Sequence, residues 1–349
     1  MSDEIDPHPA PSKIWKLFCL LGRLLRWTIY LLGTVWAFGA IYFNGPAGST
    51  IGNIVIAIAW AGLTLTYFFF LRGPVKRFFI WAACMAVVLV PWLSLKASND
   101  RDWHPDFAQT GHATIDGDTV TLHNFRNFDY TADGTITERW EDRVVHLSKL
   151  QGLDYFQDNF FGQVLSHPIL SFDFGEDGRV ALSIETRREN GETFGILPGL
   201  YKSYELQNIF GDEADLIRVR TNIRKEPVRL YRTVFSRERV LQLFLSAVQA
   251  QNDLHQQPRF YDVVTSNCTT GLRALTPAEK RHRWDWRILF NGRLDELLHE
   301  RGVFQTADLS FESLRNKSLI TGTAQQSHDA PDFSAAIRRG LPEVAPAAE

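Results

Sequence analysis

Three long apolar stretches crowd into the first hundred residues of this 349-residue chain, and nothing else in the sequence restricts its fold so strongly. Ile51–Leu71 and Phe78–Leu95 run for 21 and 18 residues without a charged side chain. About 20 residues of helix are needed to cross the hydrocarbon core of a bilayer. The first stretch is apolar over Trp27–Phe43, and Lys16, Arg23 and Arg26 on its amino-terminal side can snorkel to headgroups. Trp15, Trp27, Trp36, Trp60, Trp81 and Trp92 are plentiful, several of them near segment ends, as interfacial anchors are. A cleaved signal peptide does not fit, because the basic region is too long and two more spans follow. The pattern predicts a three-span membrane anchor over residues 1–95.

Charge orients the spans. Lys13, Lys16, Arg23 and Arg26 flank the first, and Arg72, Lys76 and Arg77 fill the break between the second and third. The break at residues 44–50 holds no Lys or Arg. The positive-inside rule then places the amino terminus in the cytoplasm and everything beyond about residue 96 outside it. In a bacterium that means an inner-membrane anchor with a periplasmic domain.

This placement gives the three cysteines unequal meaning. Cys19 and Cys84 lie within apolar segments, so Cys268 stands alone in the outer part. Extracytoplasmic cysteines usually occur as disulfides. A solitary one is either a small buried hydrophobe or a reactive thiol. The net charge of −3 shows no basic excess, which argues against a nucleic-acid partner. The absence of a His-x-x-x-His pair, paired cysteines and a Gly-rich phosphate loop predicts no metal and no nucleotide cofactor.

Residues 96–322 are expected to form one α+β domain and residues 323–349, rich in Ala, Pro, Ser and Gln, a disordered tail. "ATIDGDTVTLHNFRNFDY" reads as a hairpin turning at Asp116-Gly117, and "HPILSFDFGEDGRVALSIETR" as a second one turning at Gly175–Gly178. "DLIRVRTNI" and "VRLYRTVF" are expected to be strands on either side of "RKEP". Ser236 can cap a helix reaching toward Pro258; a second helix is expected from Cys268 to just before Thr276-Pro277, and a third over Gly292–Arg301.

"SNCTTGLRAL" would put the Cys268 sulfur in the first turn of a helix, where backbone N–H groups favour a thiolate. Asn267 is a possible side-chain donor to an oxyanion there. A thiol nucleophile needs a base. His167 opens a strand, and the next strand alternates so that Ser183, Glu185 and Arg187 share a face. That face is either simply solvated or presents Glu185 to orient the His167 imidazole, as a carboxylate does in a triad. Pairing around Gly175–Gly178 sets His167 near Thr186, and one residue of slack brings Glu185 within reach. His123, in "LHNFRNF", is the alternative base. "GDEADLIRVR" reads either as an ion-paired strand edge or as a binder of a substrate's phosphate or carboxylate.

The segments "HNFRNFDY", "SHPILSFDFG", "SIETRRENGETF", "GLYKSYELQNIFGDEADLIRVRTNIR" and "FYDVVTSNCTTGL" follow one another over roughly residues 115–275. In that order they resemble the Lnb amino-terminal periplasmic domain family. A strand-borne His preceding an Asn-Cys helix is also similar to the permuted papain-like thiol acyltransferases. The resemblance implies a permuted papain-like domain, an antiparallel sheet packed on helices, after the three transmembrane helices. It implies Cys268 as nucleophile, His167 as base and Glu185 as orienting residue, with Asn267, Thr269, Ser183 and Arg187 in supporting positions. It further implies transfer of a fatty acyl chain through a thioester, from a lipid or lipoprotein ester in the membrane to an amine, as in lipoprotein N-acylation. Two other readings stay open: a periplasmic cysteine amidase or peptidase acting on the cell wall, and a non-catalytic membrane scaffold. Acyl donor, acceptor and oligomeric state are not legible in the sequence.

Overall fold

The computed structural model describes residues 12–131 and 134–343. The chain divides into two units, residues 1–96 and 97–349.

The first unit is three helices, α1 (Lys13–Asn44), α2 (Thr50–Phe70) and α3 (Pro74–Ser94), all long and apolar enough to cross a membrane. Ser12 and Ser49 cap the first two by accepting from Trp15 N and Gly52 N, and Pro74 starts the third, where its missing N–H costs nothing. Lipid supplies no hydrophobic drive between such helices, so close packing must hold them. Ala37, Ala40 and Ala57 are buried where they meet. A side chain at Gly33 would strike the Trp81 ring at 2.5 Å, so the glycine is what admits that indole. Trp81 Nε1 donates to Thr34 Oγ1 at 3.2 Å and Trp60 Nε1 to the Cys84 carbonyl at 3.1 Å. Leu17, Leu31, Ile51, Phe69 and Val87 point outward, the pattern of helices solvated by acyl chains.

In the second unit the strands are β1 (His112–Asp116), β2 (Thr119–Arg126), β3 (Asp129–Tyr130), β4 (Ile136–Thr137), β5 (Trp140–His146), β6 (Gly152–Phe161), β7 (Leu165–Asp173), β8 (Arg179–Arg187), β9 (Glu205–Asp212) and β10 (Val228–Arg232). Interspersed or following are helices α4 (Glu213–Arg218), α5 (Arg237–Gln256), α6 (Cys268–Ala274), α7 (Leu294–Glu300), α8 (Phe311–Lys317), α9 (Thr321–Gln326) and α10 (Phe333–Ala336). The main sheet runs β1-β2-β9-β8-β7-β6-β10, with β5 also paired to β2, while β3 and β4 form a separate pair. The expectation of an antiparallel sheet needs one correction. β2 and β9 meet in parallel at Arg126 and Gly211, where a Cβ on Gly211 would lie 2.8 Å from the Arg126 carbonyl.

Alternation buries both faces of the sheet. Leu170, Phe172, Val180 and Leu182 pack with Val240, Phe244 and Val248 of α5. Phe156, Ile169, Ala181 and Ile209 face the other way, against Leu216 and Ile217 of α4 and against Ile320, Phe333 and Ile337 near the carboxyl end. Each large side chain so buried contributes roughly 1.5–3 kcal/mol. The residues from 323 to 343 are therefore not the expected disordered tail: they close one face of the core. Phe333 and Ile337 supply apolar surface, and Arg338 pairs with buried Glu213 at 2.6 Å and Asp154 at 2.8 Å. Residues 344–349 lie outside the described residues.

"DLIRVRTNI" is the second correction. It forms α4 and a following π-helical turn, Val219–Ile223, rather than a strand. Asp212 caps α4 by accepting from Ala214 N, and Glu213 and Asp215 stabilise the positive end of its dipole. That local chemistry outweighs the β-branched run. The two expected hairpins form as β1–β2 and β7–β8, and the helices expected after Ser236, at Cys268 and over Gly292–Arg301 form as α5, α6 and α7.

Candidate functional site

The local chemistry of "SNCTTG" builds α6. Asn267 Oδ1 accepts from Thr270 N at 2.8 Å while Thr270 Oγ1 accepts from Asn267 N at 2.8 Å, a reciprocal capping box that starts the helix at Cys268. Gly271 lets the helix lie close on β8, since a Cβ there would come within 2.9 Å of Ile184 Cδ1. Cys268 is thereby buried, its Sγ 4.0 Å from the Ser166 carbonyl and 3.8 Å from Asn291 Nδ2.

β7 and β8 bring the polar partners. Ile169 pairs with Ser183 and Phe172 with Val180, a register that sets His167 toward Glu185. His167 Nε2 lies 2.6 Å from Ser183 Oγ and 3.3 Å from Glu185 Oε1, and Ser183 Oγ donates to Glu185 Oε1 at 2.6 Å. Ser183 thus bridges imidazole and carboxylate. The same Glu185 oxygen accepts from Arg220 Nη2 at 2.8 Å, and Arg220 Nη1 donates to Asp158 Oδ2 at 2.8 Å. Arg220 reaches both because it sits on the π-helical turn, the kind of helix irregularity that often marks functional positions.

His167, Glu185, Arg220 and Cys268 line one cavity of about 340 Å³. Its lining combines apolar Phe160, Leu165, Ile184, Phe194, Val263 and Leu289 with charged Arg188, Arg220, Arg224 and Glu226. A larger hollow of about 1020 Å³ beside α10 is lined in part by Arg and Asp side chains, among them Asp212, Asp215 and Arg218 of "GDEADLIRVR", and holds none of Cys268, His167 and Glu185.

The electrostatics follow from burial and charge. Burial and the nearby Arg220 would lower the His167 pKa, but the Glu185 carboxylate and hydrogen-bonding interactions with Cys268 and Glu185 outweigh them and raise it to about 9. The imidazole is therefore charged at neutral pH. Burial would raise Glu185, yet His167, Arg220 and the Ser183 hydroxyl hold it well below the usual carboxylate range. Burial and the nearby Asp158 carboxylate push Glu226, on the same cavity, up to about 7.

The other expected residues lie as follows. Asn267 lines the cavity, but its amide is occupied: Nδ2 donates to the Val263 carbonyl at 2.7 Å and Oδ1 caps α6. Thr269 Oγ1 accepts from Asn291 Nδ2 at 2.6 Å and lines a different cavity. Arg187 is fully buried away from the thiol, donating to the carbonyls of Phe107 and Ala108 and to Asn99 Oδ1, with its guanidinium over Trp103. It anchors the stretch that leads into β1. His123 does not reach this cavity. Its Nδ1 is 2.8 Å from Asp142 Oδ2, and its ring stacks on His112 at 4.5 Å.

Asn291 was not foreseen. Its Nδ2 donates to the Ser166 carbonyl at 2.7 Å and its Oδ1 accepts from Ser166 N at 2.7 Å, so it clamps the residue before His167 while touching Thr269 and approaching the sulfur. The Asn291-Gly292 pair was its only signal. Gly292 is obligatory, because a Cβ would meet the Gln163 backbone at 2.2 Å.

Residues 136–292 match the family model described as the Lnb N-terminal periplasmic domain. The match spans β4 through Gly292 and includes His167, Ser183, Glu185, Arg220, Cys268 and Asn291; the three apolar helices and α7–α10 fall outside it. No curated protein and no solved structure matches the chain. With three helices long and apolar enough to span a membrane ahead of that match, this is a membrane-anchored protein whose second unit is similar, over residues 136–292, to the Lnb N-terminal periplasmic domain family.

Proposed function

We propose that this protein is an inner-membrane cysteine acyltransferase with its catalytic unit in the periplasm, and that Cys268, His167 and Glu185 carry the reaction. The observation that supports this most is a buried thiol sharing a cavity with a charged imidazole, which is itself held by Ser183 and Glu185. In the proposed cycle the thiol proton of Cys268 already resides on the His167 imidazolium, and the thiolate attacks the carbonyl of a lipid ester. The C–O bond breaks, the leaving alkoxide takes a proton from the imidazolium, and a thioester remains on Cys268. An amine then attacks the thioester carbonyl, and the C–S bond breaks. The departing thiolate and the proton released by the amine restore the resting site, so ester and amine become alcohol and amide. Glu185 keeps the imidazole oriented and offsets its charge.

The apolar part of the cavity lining, with Phe160, Phe194 and Leu289, supports an acyl substrate over a sugar-peptide one. The lysines and arginines at the ends of α1 and α3, with none between α1 and α2, support an amino terminus in the cytoplasm. The test is mass spectrometry of lipoprotein amino termini from cells carrying the wild-type protein or Cys268→Ala. The expected result is a terminus with one acyl chain moved from glyceryl oxygen to the α-amine, present only with the wild type. Identical termini accompanied by altered cell-wall fragments would replace acyl transfer with the amidase reading.

A further inference from the structure

On the far side of α6 from the thiol lies a second cavity, of about 480 Å³. Its walls are apolar: Leu153 and Leu170 from the sheet, Leu243 from α5, Leu272 from α6 and Leu298 from α7. Its volume is typical of cavities that hold small ligands. Five cations line it as well, Arg239, Arg273, Lys280, Arg281 and Arg301, each of them at least partly exposed. Arg239 donates to Thr276 Oγ1, Arg273 to the His282 carbonyl, Arg281 to the carbonyls of Thr276 and Ala274, and Arg301 to the Arg283 carbonyl. Among the described residues no carboxylate lies within ion-pairing distance of any of the five. Arg126, Arg220 and Arg338, by contrast, are each ion-paired. Burial lowers the Arg301 pKa, Asp285 and Glu300 pull against it, and Arg273 adds to the lowering.

An apolar hollow ringed by unpaired cations is complementary to one kind of molecule: an amphiphile with a negative head. We propose that this cavity binds an anionic glycerophospholipid, one acyl chain against Leu153, Leu243, Leu272 and Leu298 and the phosphate among the five cations. Guanidinium groups suit that phosphate because they offer paired donors to its oxygens. The site is separate from the thiol cavity, although Thr269 lines one and its neighbour Cys268 the other. Lipid binding here does not depend on thioester chemistry, and either reading can fail without the other.

The experiment uses the full chain in nanodiscs and phosphatidylglycerol carrying a photoreactive diazirine near the end of one acyl chain. Adducts are expected on the peptides containing Leu153, Leu243, Leu272 and Leu298. Unlabelled phosphatidylglycerol should compete, while phosphatidylcholine and palmitate should not. The double substitution Arg273→Glu/Arg281→Glu should cut labelling about tenfold or more, as expected for lost charge-assisted contacts, with alkylation of Cys268 unchanged as the check on folding. Leu272→Trp, which fills the cavity, should do the same without altering charge. If a variant misfolds, the wild-type adduct map and the competition still decide. Adducts confined to residues 13–94 would overturn the proposal, and so would equal competition by phosphatidylcholine or palmitate.

Discussion

Ser183 makes the geometry of the thiol site definite, since its hydroxyl touches His167 on one side and Glu185 on the other. The charged imidazole gives a pH dependence whose sign can be worked out. His167 has a folded pKa of about 9 against an ordinary value of 6.5. Because the folded value is the higher, the stability it contributes is complete below about 6.5 and is lost as pH rises through about 9. The melting temperature of wild type should therefore exceed that of His167→Gln at low pH, and the gap should narrow between those two values. Thermal melts of both proteins across that range check this; a gap that widened with pH would mean that the imidazole is neutral in the fold. At this scale the sequence was informative where residues stand on a regular element. His167 and Glu185 could be paired by counting outward from the turn at Gly175–Gly178, within one residue of the register observed. Asn291 could not be found this way, because it lies over 100 residues from Ser166 and reaches it only through the tertiary fold.

Among the elements, the short turn carrying Asn291 and Gly292 matters out of proportion to its length. Gly292 N donates to the Val164 carbonyl, and its own carbonyl accepts from Gln157 and Asn159, so this turn is fastened to both β6 and β7. Gly292→Ala would drive a methyl group into the Gln163 backbone. It should destabilise the unit by about 1–3 kcal/mol, the usual cost of overpacking, and should also loosen the clamp on Ser166. Gly322→Ala, in open space on α9, is the matched control and should be neutral or slightly stabilising. Denaturant melts of the two variants decide; equal stability would show that the turn has room to shift. The elements that escaped the sequence reading have physical reasons for doing so. β6 carries buried Asp154, Gln157, Asp158 and Asn159, which interrupt any apolar alternation and are tolerated only because Arg179, Arg220, Arg232, Gly292 and Arg338 satisfy them. α4 and its π-helical turn read as a strand because Ile217, Val219 and Ile223 are β-branched, while the Asp212 cap that overrides them is a single residue.

For the molecule as a whole, the proposed lipid-ester chemistry suits a chain that carries three helices long and apolar enough to cross a membrane. The orientation this requires has its own test. A reporter that works only after export, fused behind Ser98, should be active, and a cytoplasm-only reporter at the same place should be silent; the reverse pattern would put the thiol domain in the cytoplasm. The anchor was legible because a bilayer imposes length and apolarity on sequence directly. The packed carboxyl end was not, because Phe333, Ile337 and Arg338 are spaced among Ala, Ser and Asp and gain their meaning only against α4 and the sheet. The central claim is that Cys268 carries the acyl group, and intact-protein mass spectrometry after incubation with an acyl-labelled lipid ester, without an amine acceptor, measures this most directly. The account predicts one acyl mass added at Cys268, released by neutral hydroxylamine and absent from Cys268→Ala. An acyl group that resists hydroxylamine, sits on another residue, or persists in Cys268→Ala would contradict it.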